Sequence, residues 1–256
     1  MLIVLSPAKR LDFTEADPAI PGTERRFVED TASLATTARR QTKADLRRLM
    51  GISDDLATLN VARFKAFDSE SMDGVQAAFA FAGDVYEGLK ARELDAKSLA
   101  YAQDHLRILS GFYGLLRPLD RIQPYRLEMG TRLKTRRGTS LYDFWGERIS
   151  KRLNEDAEGQ TDPTLVNLAS QEYFGAVDAK ALKLPVVTPQ FREKKNGESR
   201  IVSFFAKKAR GAMARFAIDE RVERVADLKA FDRGGYTFDK DASTESDWIF
   251  IRSGNS

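Results

Sequence analysis

Residues 107 to 130 read Arg-Ile-Leu-Ser-Gly-Phe-Tyr-Gly-Leu-Leu-Arg-Pro-Leu-Asp-Arg-Ile-Gln-Pro-Tyr-Arg-Leu-Glu-Met-Gly. Two prolines and three glycines interrupt regular structure in this stretch, whereas its large apolar side chains need burial. The pattern therefore predicts an ordered, partly buried loop. The loop carries four arginines: Arg107, Arg117, Arg121 and Arg126. Because ordered arginines commonly bind anions, we expect this loop to build a site rather than a scaffold.

The sequence before this loop is mostly helical in pattern. Leu2 to Leu5 is a short apolar run, which predicts a buried strand that delivers Ser6 to Lys9 to a loop. From Arg25 to Phe81 apolar residues recur every three or four positions, which predicts three or four helices. A further helix is expected from Asp95 to Leu109, with Asp95 as its N-cap. The helix-rich portion thus covers residues 25 to 109.

The sequence after the loop alternates between helices and strands. Ser140 is a candidate N-cap for a helix from Leu141 to Asp156, and Ala206 to Glu220 has the spacing of a basic amphipathic helix. Strands are expected at Leu165 to Leu168, Val186 to Thr188, Arg200 to Phe205 and Trp248 to Arg252. Asn196-Gly197 predicts a hairpin turn between Phe191 to Lys194 and the strand that starts at Arg200.

Together these elements predict one mixed α/β (α+β) domain over residues 1 to 256. A central mixed sheet is expected from the N-terminal and C-terminal strands, with the helical portion beside it and a basic cleft between them. Residues 159 to 163 form the most polar gap and predict a surface loop. A chain of 256 residues is long enough to bury its own core.

Composition excludes several kinds of chemistry. The chain has no cysteine and one histidine, His105, so it has no disulfide, no thiolate nucleophile and no cysteine- or histidine-rich metal site. We therefore expect no tightly bound metal and no cofactor. The apolar run at the N-terminus is too short for a signal peptide or a membrane span, which predicts a cytoplasmic protein without a membrane partner. The oligomeric state does not follow from the sequence.

Charge is unevenly distributed although the net charge is only +3. Residues 105 to 152 hold 11 basic and 4 acidic residues, and residues 192 to 215 hold 8 basic and 2 acidic residues. The remaining chain is therefore acidic. If the two basic segments line one concave face, that face would attract a polyanion such as DNA. The alternative is a set of solvated helix faces paired with acids elsewhere.

Residues 46 to 64 predict two helices joined by a tight turn at Gly51-Ile-Ser53, with Ser53 or Asp54 as the cap. Such a helix-hairpin-helix points backbone N–H groups at a DNA phosphate without reading the bases. Here Ser53 replaces a turn glycine, and acidic residues stand where phosphate would sit, so an ordinary helical hairpin is the alternative. Supporting cations would be Arg47, Arg48 and Arg63.

The C-terminal basic helix is a second candidate DNA surface. It carries Lys207, Lys208, Arg210 and Arg215, which would bind phosphates or form a solvated face. Among the loop arginines, Phe112, Tyr113 and Tyr125 are candidates for stacking on unpaired bases or for the core.

An enzyme site is a different possibility. Lys9 and Arg126 would clamp an anion, and Glu172 would serve as a general base. No phosphate loop or dinucleotide fingerprint accompanies them, and Arg126 with Glu128 has the spacing of a structural ion pair. A Ser6–Lys9 nucleophile pair has no supporting geometry in the sequence.

The 107–130 stretch resembles the bacterial YaaA family of peroxide stress proteins, and four other strings share the resemblance: Ser6-Pro-Ala-Lys9, Leu141-Tyr-Asp-Phe-Trp-Gly146, Asn167-Leu-Ala-Ser-Gln-Glu-Tyr-Phe174 and Phe205-Ala-Lys-Lys-Ala-Arg-Gly211. The resemblance extends from Met1 to about Arg252. It implies a cytoplasmic protein that helps cells survive hydrogen peroxide, limits free iron, and binds duplex and branched DNA through a basic cleft of an unusual α/β fold.

The leading interpretation is therefore a DNA-binding protein of the oxidative stress response that limits iron-driven DNA damage. The main alternative is an enzyme that acts on a phosphorylated or nucleotide-like small molecule. A third possibility is an iron-handling protein that binds metal through carboxylates.

Overall fold

The structure is a computed structural model that describes residues 1–14, 20–195 and 198–253. Its strands are β1 (Leu2–Leu5), β2 (Arg10–Leu11), β3 (Val75–Gln76), β4 (Phe81–Ala82), β5 (Leu106–Ser110), β6 (Gly114–Leu116), β7 (Arg121–Ile122), β8 (Leu165–Leu168), β9 (Val186–Lys195), β10 (Glu198–Arg200), β11 (Thr237–Asp239) and β12 (Asp247–Ser253). Its α-helices are α1 (Val28–Arg39), α2 (Lys43–Met50), α3 (Asp54–Ala66), α4 (Ala77–Ala80), α5 (Asp84–Leu89), α6 (Ala96–His105), α7 (Leu141–Trp145), α8 (Arg148–Asp156), α9 (Gln171–Phe174) and α10 (Ser203–Asp219). Short 3-10 helices lie at Ala91–Glu93, Val225–Ala230 and Arg233–Gly235.

The main sheet is mixed, with strand order β11-β12-β9-β8-β1-β5-β6 and β10 paired to β9. β1 pairs in parallel with β5 on one side and with β8 on the other, and the β8–β9 and β9–β12 pairs are also parallel. β6, β10 and β11 add antiparallel pairs. The parallel strands therefore end at the same edge of the sheet. The predicted central mixed sheet is confirmed.

β1 lies in the interior of the sheet, and every side chain of its Leu-Ile-Val-Leu sequence is buried. A continuous apolar run is typical of a parallel strand covered on both faces. α10 packs against β1, β8 and β9, and α6 packs against β1 and β5. One hydrophobic core includes residues from Met1 to Phe250. Residues 159 to 163, the predicted surface loop, connect α8 to β8, and side chains on both sides of this segment in the sequence belong to the same core.

Helix starts were predicted more accurately than helix ends. Asp95 caps α6, since its carboxylate accepts the backbone N–H of Ser98 at 2.7 Å, and Ser140 caps α7. The predicted helix to Leu109 is wrong after His105, because Leu106–Ser110 pairs with β1 instead. The helix predicted from Leu141 to Asp156 is divided at Gly146, whose φ of 48° lies in the left-handed region. Four helices within Arg25 to Phe81 agree with the prediction.

Strand predictions in the C-terminal half were partly right. Leu165–Leu168 and the strand around Trp248 are confirmed, and the Val186 strand extends to Lys195. A strand from Arg200 to Phe205 is wrong: the antiparallel partner of β9 is Glu198–Arg200, and α10 begins at Ser203. The predicted turn residues Asn196-Gly197 lie outside the described residues. Within residues 107 to 130, the predicted loop contains β6, β7 and most of β5.

Arg107 joins the sheet to α8 through a buried ion pair. Its Nε donates to Asp156 Oδ2 at 2.6 Å, and both side chains are almost completely buried. A terminal nitrogen of Arg107 also donates to the carbonyl oxygens of Gln103 and Leu106. Arg152 and Arg26 contact the other oxygen of Asp156, at 3.0 and 3.3 Å. The carboxylate thus gathers three arginines from different parts of the chain.

α5 and α10 cross at two glycines. A Cβ atom on Gly211 would lie 1.7 Å from the carbonyl oxygen of Val85, and one on Gly88 would lie 2.1 Å from that of Lys208. Only hydrogen fits at these two positions. This close contact between the two helices holds α10, which packs on the sheet, against α5, which belongs to the helical portion.

Replacing Gly211 with alanine is expected to destabilise the protein by about 1 to 3 kcal/mol, because the new methyl group forces the two helices apart. Helix propensity alone would give the opposite sign, a gain of about 1 kcal/mol. Urea unfolding followed by circular dichroism measures the difference. A Gly211→Ala variant as stable as the wild type would contradict the close packing described here.

Replacing Arg107 with leucine is expected to lower the free energy of unfolding by about 3 kcal/mol, since it removes one partner of a buried carboxylate. Arg48→Leu is the matched control. Arg48 also pairs with an aspartate, Asp45, but its side chain is 76% exposed, so its loss should cost less than about 1 kcal/mol. Equal stability losses in the two variants would argue against a structural role for Arg107.

Candidate functional site

The carboxyl ends of β1 and β8 meet at adjacent serines. Ser6 Oγ accepts the backbone N–H of Ser170 at 2.8 Å, and the two hydroxyl oxygens lie 3.3 Å apart. From β1 the chain crosses to β5 on one side and later to β8 on the other. In open parallel sheets, such a change of direction leaves a crevice where ligands commonly bind. The carboxyl edge of the sheet at β1 and β8 is therefore a candidate ligand-binding site.

Charged side chains contact one another close to these serines in the chain. Lys9 Nζ lies 3.2 Å from Glu128 Oε2, and a terminal nitrogen of Arg126 lies 3.1 Å from Oε1 of the same carboxylate. Glu172 Oε1 accepts the backbone N–H of Gly130 at 3.0 Å. The structure thus brings together the three candidate catalytic residues of the sequence, Lys9, Arg126 and Glu172. Ser6 contacts Ser170 rather than Lys9, so the Ser6–Lys9 nucleophile pair is not formed.

Burial and neighbouring charges shift the titration of groups at this edge. Burial raises the pKa of the Tyr173 hydroxyl, and the Glu172 and Glu128 carboxylates raise it further. Burial lowers the pKa of Arg63, with a smaller contribution from the charge of Arg126. Arg63, on α3, therefore lies close enough to Arg126 for the two cations to repel each other. The helical portion thus contributes a cation near Arg126.

The predicted helical hairpin is present as α2, a turn at residues 51 to 53, and α3. Gly51 ends α2 with φ of 60°, and Ser53 Oγ accepts the backbone N–H of Leu56 as the N-cap of α3. Arg47 Nε lies 2.7 Å from Asp54 Oδ1, while Arg48 pairs with Asp45. Arg47 and Arg48 thus already have acidic partners at the surface. DNA contact through this hairpin remains a prediction.

Three of the loop arginines, Arg107, Arg117 and Arg121, donate to backbone carbonyl oxygens of the protein. Arg107 is buried against Asp156, and Arg117 binds the buried Asp120 and the carbonyl oxygen of Glu24. Arg121 donates to the carbonyl oxygen of Gly74 at 2.9 Å. These guanidinium groups stabilise connections between distant parts of the chain.

α10 presents its cations unequally. Lys207 Nζ lies 3.7 Å from Asp84 Oδ2, and Arg215 pairs with Asp219 and donates to the carbonyl oxygens of Leu89 and Lys90. Arg210 is only partly exposed, and burial lowers its pKa. Lys208 is exposed and lines a cavity of about 520 Å³.

The two basic segments do not share one concave face throughout. Arg107 and Arg117 line a cavity of about 330 Å³ beside His105, at the amino ends of β1 and β5. Arg126 lies at the opposite, carboxyl edge, and Lys208 lines a cavity that contains no residue from 105 to 152. The expectation of a single basic face is therefore wrong for Arg107 and Arg117.

A row of exposed cations was missed among the sequence candidates. Along residues 131 to 136, the exposed Arg132, Lys134 and Arg136 alternate with less exposed residues, of which Leu133 belongs to the core. Within the described parts of the chain, none of the three has a carboxylate within 4.0 Å. Alternation of cations with Leu133 was visible in the sequence and indicates a one-sided basic row.

The aromatic residues proposed for stacking belong to the core. Phe112, Tyr113 and Tyr125 are buried and pack on one another, with ring centroids 5.0 to 5.4 Å apart. The Tyr125 hydroxyl is 2.6 Å from Ser110 Oγ, so its polar group is satisfied internally.

Metal-holding clusters of side chains and membrane-spanning helices are both absent from the described ranges. These ranges contain no group of three or more histidine, aspartate or glutamate side chains placed to hold a metal ion. Nor does any helix in them combine the length and apolar character needed to cross a membrane.

Comparison with known proteins gives a family. The sequence model described as "Peroxide stress protein YaaA" matches residues 1–242. Proteins named UPF0246 are similar over almost their whole length: 63% identity in Phenylobacterium zucineum, covering 98% of this chain and 95% of the relative; 63% in Caulobacter vibrioides, covering 98% and 99%; and 58% in Ruegeria pomeroyi, covering 98% of each. The resemblance seen in the sequence is confirmed, and the chain belongs to the YaaA family of peroxide stress proteins.

Proposed function

We propose that this protein acts in the cytoplasm during peroxide stress by binding duplex or branched DNA with little regard to base sequence. The observation that carries the proposal is the row of exposed cations formed by Arg132, Lys134 and Arg136. Cations that already pair with protein carboxylates must break that ion pair to bind phosphate. Within the described residues these three have no such ion pair to break. They therefore suit a contact with the DNA backbone.

Other cations extend this proposed surface. Arg126 contacts Glu128 near the carboxyl edge of the sheet, and Gly130, which bonds to Glu172 at that edge, directly precedes the cation row. Arg63 on α3 is a further candidate phosphate contact. Arg47 and Arg48 on the hairpin and Lys207 and Lys208 on α10 remain candidate phosphate contacts. Arg107, Arg117, Arg121 and Arg215 are not included, because their guanidinium groups donate to backbone carbonyl oxygens.

Binding of this kind also accounts for a link to iron. Lysine and arginine side chains that neutralise phosphates release the cations condensed on DNA. We propose that ferrous ions are among those displaced, so that hydroxyl radicals form less often next to the DNA. This mechanism needs no metal site on the protein.

The triple variant Arg132→Ala, Lys134→Ala, Arg136→Ala is expected to bind DNA more weakly at low salt. In a plot of the logarithm of the association constant against the logarithm of the salt concentration, the slope of the variant should be smaller in magnitude by about 2 to 3. Each lost phosphate contact removes about 0.9 from this slope. Fluorescence anisotropy with a labelled duplex of about 30 base pairs, titrated from about 50 to 300 mM salt, measures both quantities.

The matched control removes three exposed cations elsewhere, Lys180, Lys183 and Arg224, which follow α9 or lie next to the Val225–Ala230 helix. This control variant should keep the wild-type slope. Equal slopes for all three proteins, each shown to be folded by thermal melting, would reject the cation row as the DNA surface. Absence of binding by the wild type at low salt would reject the DNA proposal itself.

A second candidate function is binding or turnover of a phosphorylated small molecule at the carboxyl edge. Two observations favour it: the meeting of Ser6 and Ser170 at the carboxyl ends of β1 and β8, and the buried Nε of Arg126, which has no hydrogen-bond partner among the described residues. A buried donor without a partner is uncommon in folded proteins and suits an anionic ligand.

Adenosine monophosphate and inorganic phosphate are suitable probes for this candidate. If the site binds phosphate groups, either compound should raise the melting temperature of the wild type, and Lys9→Ala and Arg126→Ala should each reduce the shift. Lys97→Ala, which changes an exposed lysine on α6, should keep it. A shift that survives in both site variants would place the ligand elsewhere.

A further inference from the structure

Two phenylalanines stand at the surface at the start of α10. Phe204 is 50% exposed and Phe205 is 39% exposed, and the preceding Ile201 is 53% exposed. Within the described residues, the other large apolar side chains this exposed are Leu59 and Met72, which lie apart from each other in the chain. An exposed aromatic pair next to an exposed isoleucine is a feature that calls for a partner.

The two rings are held in place rather than free. They meet at a centroid distance of 5.4 Å and an angle of 66°. The guanidinium carbon of Arg252 lies 4.3 Å from the centroid of the Phe205 ring and 4.9 Å from that of Tyr236. Arg252 is itself fixed, because its Nε donates to Glu193 Oε2 at 2.8 Å. We call Phe204 and Phe205 the aromatic platform.

Cavities of suitable size adjoin the aromatic platform. Phe205 and Arg252 line both a cavity of about 980 Å³ and the cavity of about 520 Å³ mentioned above, and Phe204 lines the smaller one. Cavities of about 300 to 1,000 Å³ accept flat organic groups the size of a nucleobase. The space on either side of Phe205 therefore has room for a planar ligand.

The two cavities beside the aromatic platform are lined by carboxylates as well as cations, but the cations outnumber the carboxylates in each, so the net charge favours an anion. Lys208 lines the smaller cavity, and Lys194 and Lys240 line the larger one. All three are exposed, and within the described ranges none has a carboxylate within 4.0 Å. By contrast, the nearby Lys90 and Lys207 pair with Glu93 and Asp84. The lysines without acidic partners thus flank the exposed rings.

We propose that the aromatic platform stacks on unpaired bases of single-stranded or branched DNA, while Lys194, Lys208 and Lys240 bind the phosphates on either side. Stacking on aromatic rings combined with cations along the backbone is how proteins bind unpaired nucleic acid without reading its sequence. This inference rests on the proposed DNA-binding function and adds to it a preference for unpaired DNA. A second copy of the chain or an apolar peptide explains the exposed rings but not the unpaired lysines.

The test compares two DNAs of equal length, a perfect duplex and the same duplex with a central bubble of unpaired bases. Wild-type protein is expected to bind the bubble more tightly than the duplex. Phe204→Ala should lose this preference, with a drop in affinity for the bubble of about 5- to 150-fold and little change for the duplex. Phe204→Tyr should keep the preference, because it keeps the ring, whereas Phe204→Leu should lose it.

A base analogue gives an independent readout. With 2-aminopurine in the bubble, the wild type should change its fluorescence on binding, and Phe204→Ala should not. Met72→Ala, which removes another exposed apolar side chain, is the control and should behave as the wild type does.

The outcomes separate this inference from the proposed function. If the wild type binds duplex but Phe204→Ala, folded by thermal melting, keeps the wild-type ratio of bubble to duplex affinity, the aromatic platform is not a base-stacking surface. If Phe204→Ala instead changes the oligomeric state seen by light scattering and leaves that ratio unchanged, the rings cover a second copy and the inference is overturned. If the wild type binds neither DNA, the proposed function fails and this inference with it.

Discussion

Parallel hydrogen bonding of β1 to both β5 and β8 is the constraint on which the rest of the structure depends. It places residues that are more than 160 positions apart, Ser6 and Ser170, within hydrogen-bond distance. Parallel neighbours also require long crossover connections. The crossover from β1 to β5 contains α1 to α6 and therefore the helical hairpin, which fixes the helical portion to the same sheet. The meeting of the two serines and the place of the helical portion both follow from this topology.

Arginine has two different uses in this protein, and sequence alone does not separate them. Arg107 and Arg121 donate to groups supplied by distant parts of the chain, Asp156 and the carbonyl oxygen of Gly74. Arg132 and Arg136, a few residues further on, face solvent. A count of basic residues adds both kinds together. Only the fold shows which guanidinium groups hold the structure together and which remain available to a partner.

Features set by local interactions were predictable from the sequence. The caps Asp95 and Ser140 act within one helical turn, and the apolar run of β1 admits one reading. Leu106–Ser110 was misassigned because a short apolar run fits a buried helix end as well as a strand, and pairing with β1 decides between them. The exposure of Phe204 could not be predicted from the sequence. The predicted strand ending at Phe205 would have buried alternate side chains, whereas in the structure α10 begins at Ser203.

The overall charge makes local arrangement decisive for any polyanion partner. A net charge of +3 on 256 residues provides little long-range attraction, so affinity must come from cations that lack acidic neighbours. Among the described residues, such cations lie along residues 132 to 136 and beside the aromatic platform. A chain without cysteine also has no thiol with which to sense peroxide. The proposed binding of DNA needs no thiol, and surface cations that carry no internal ion pair fit that proposal.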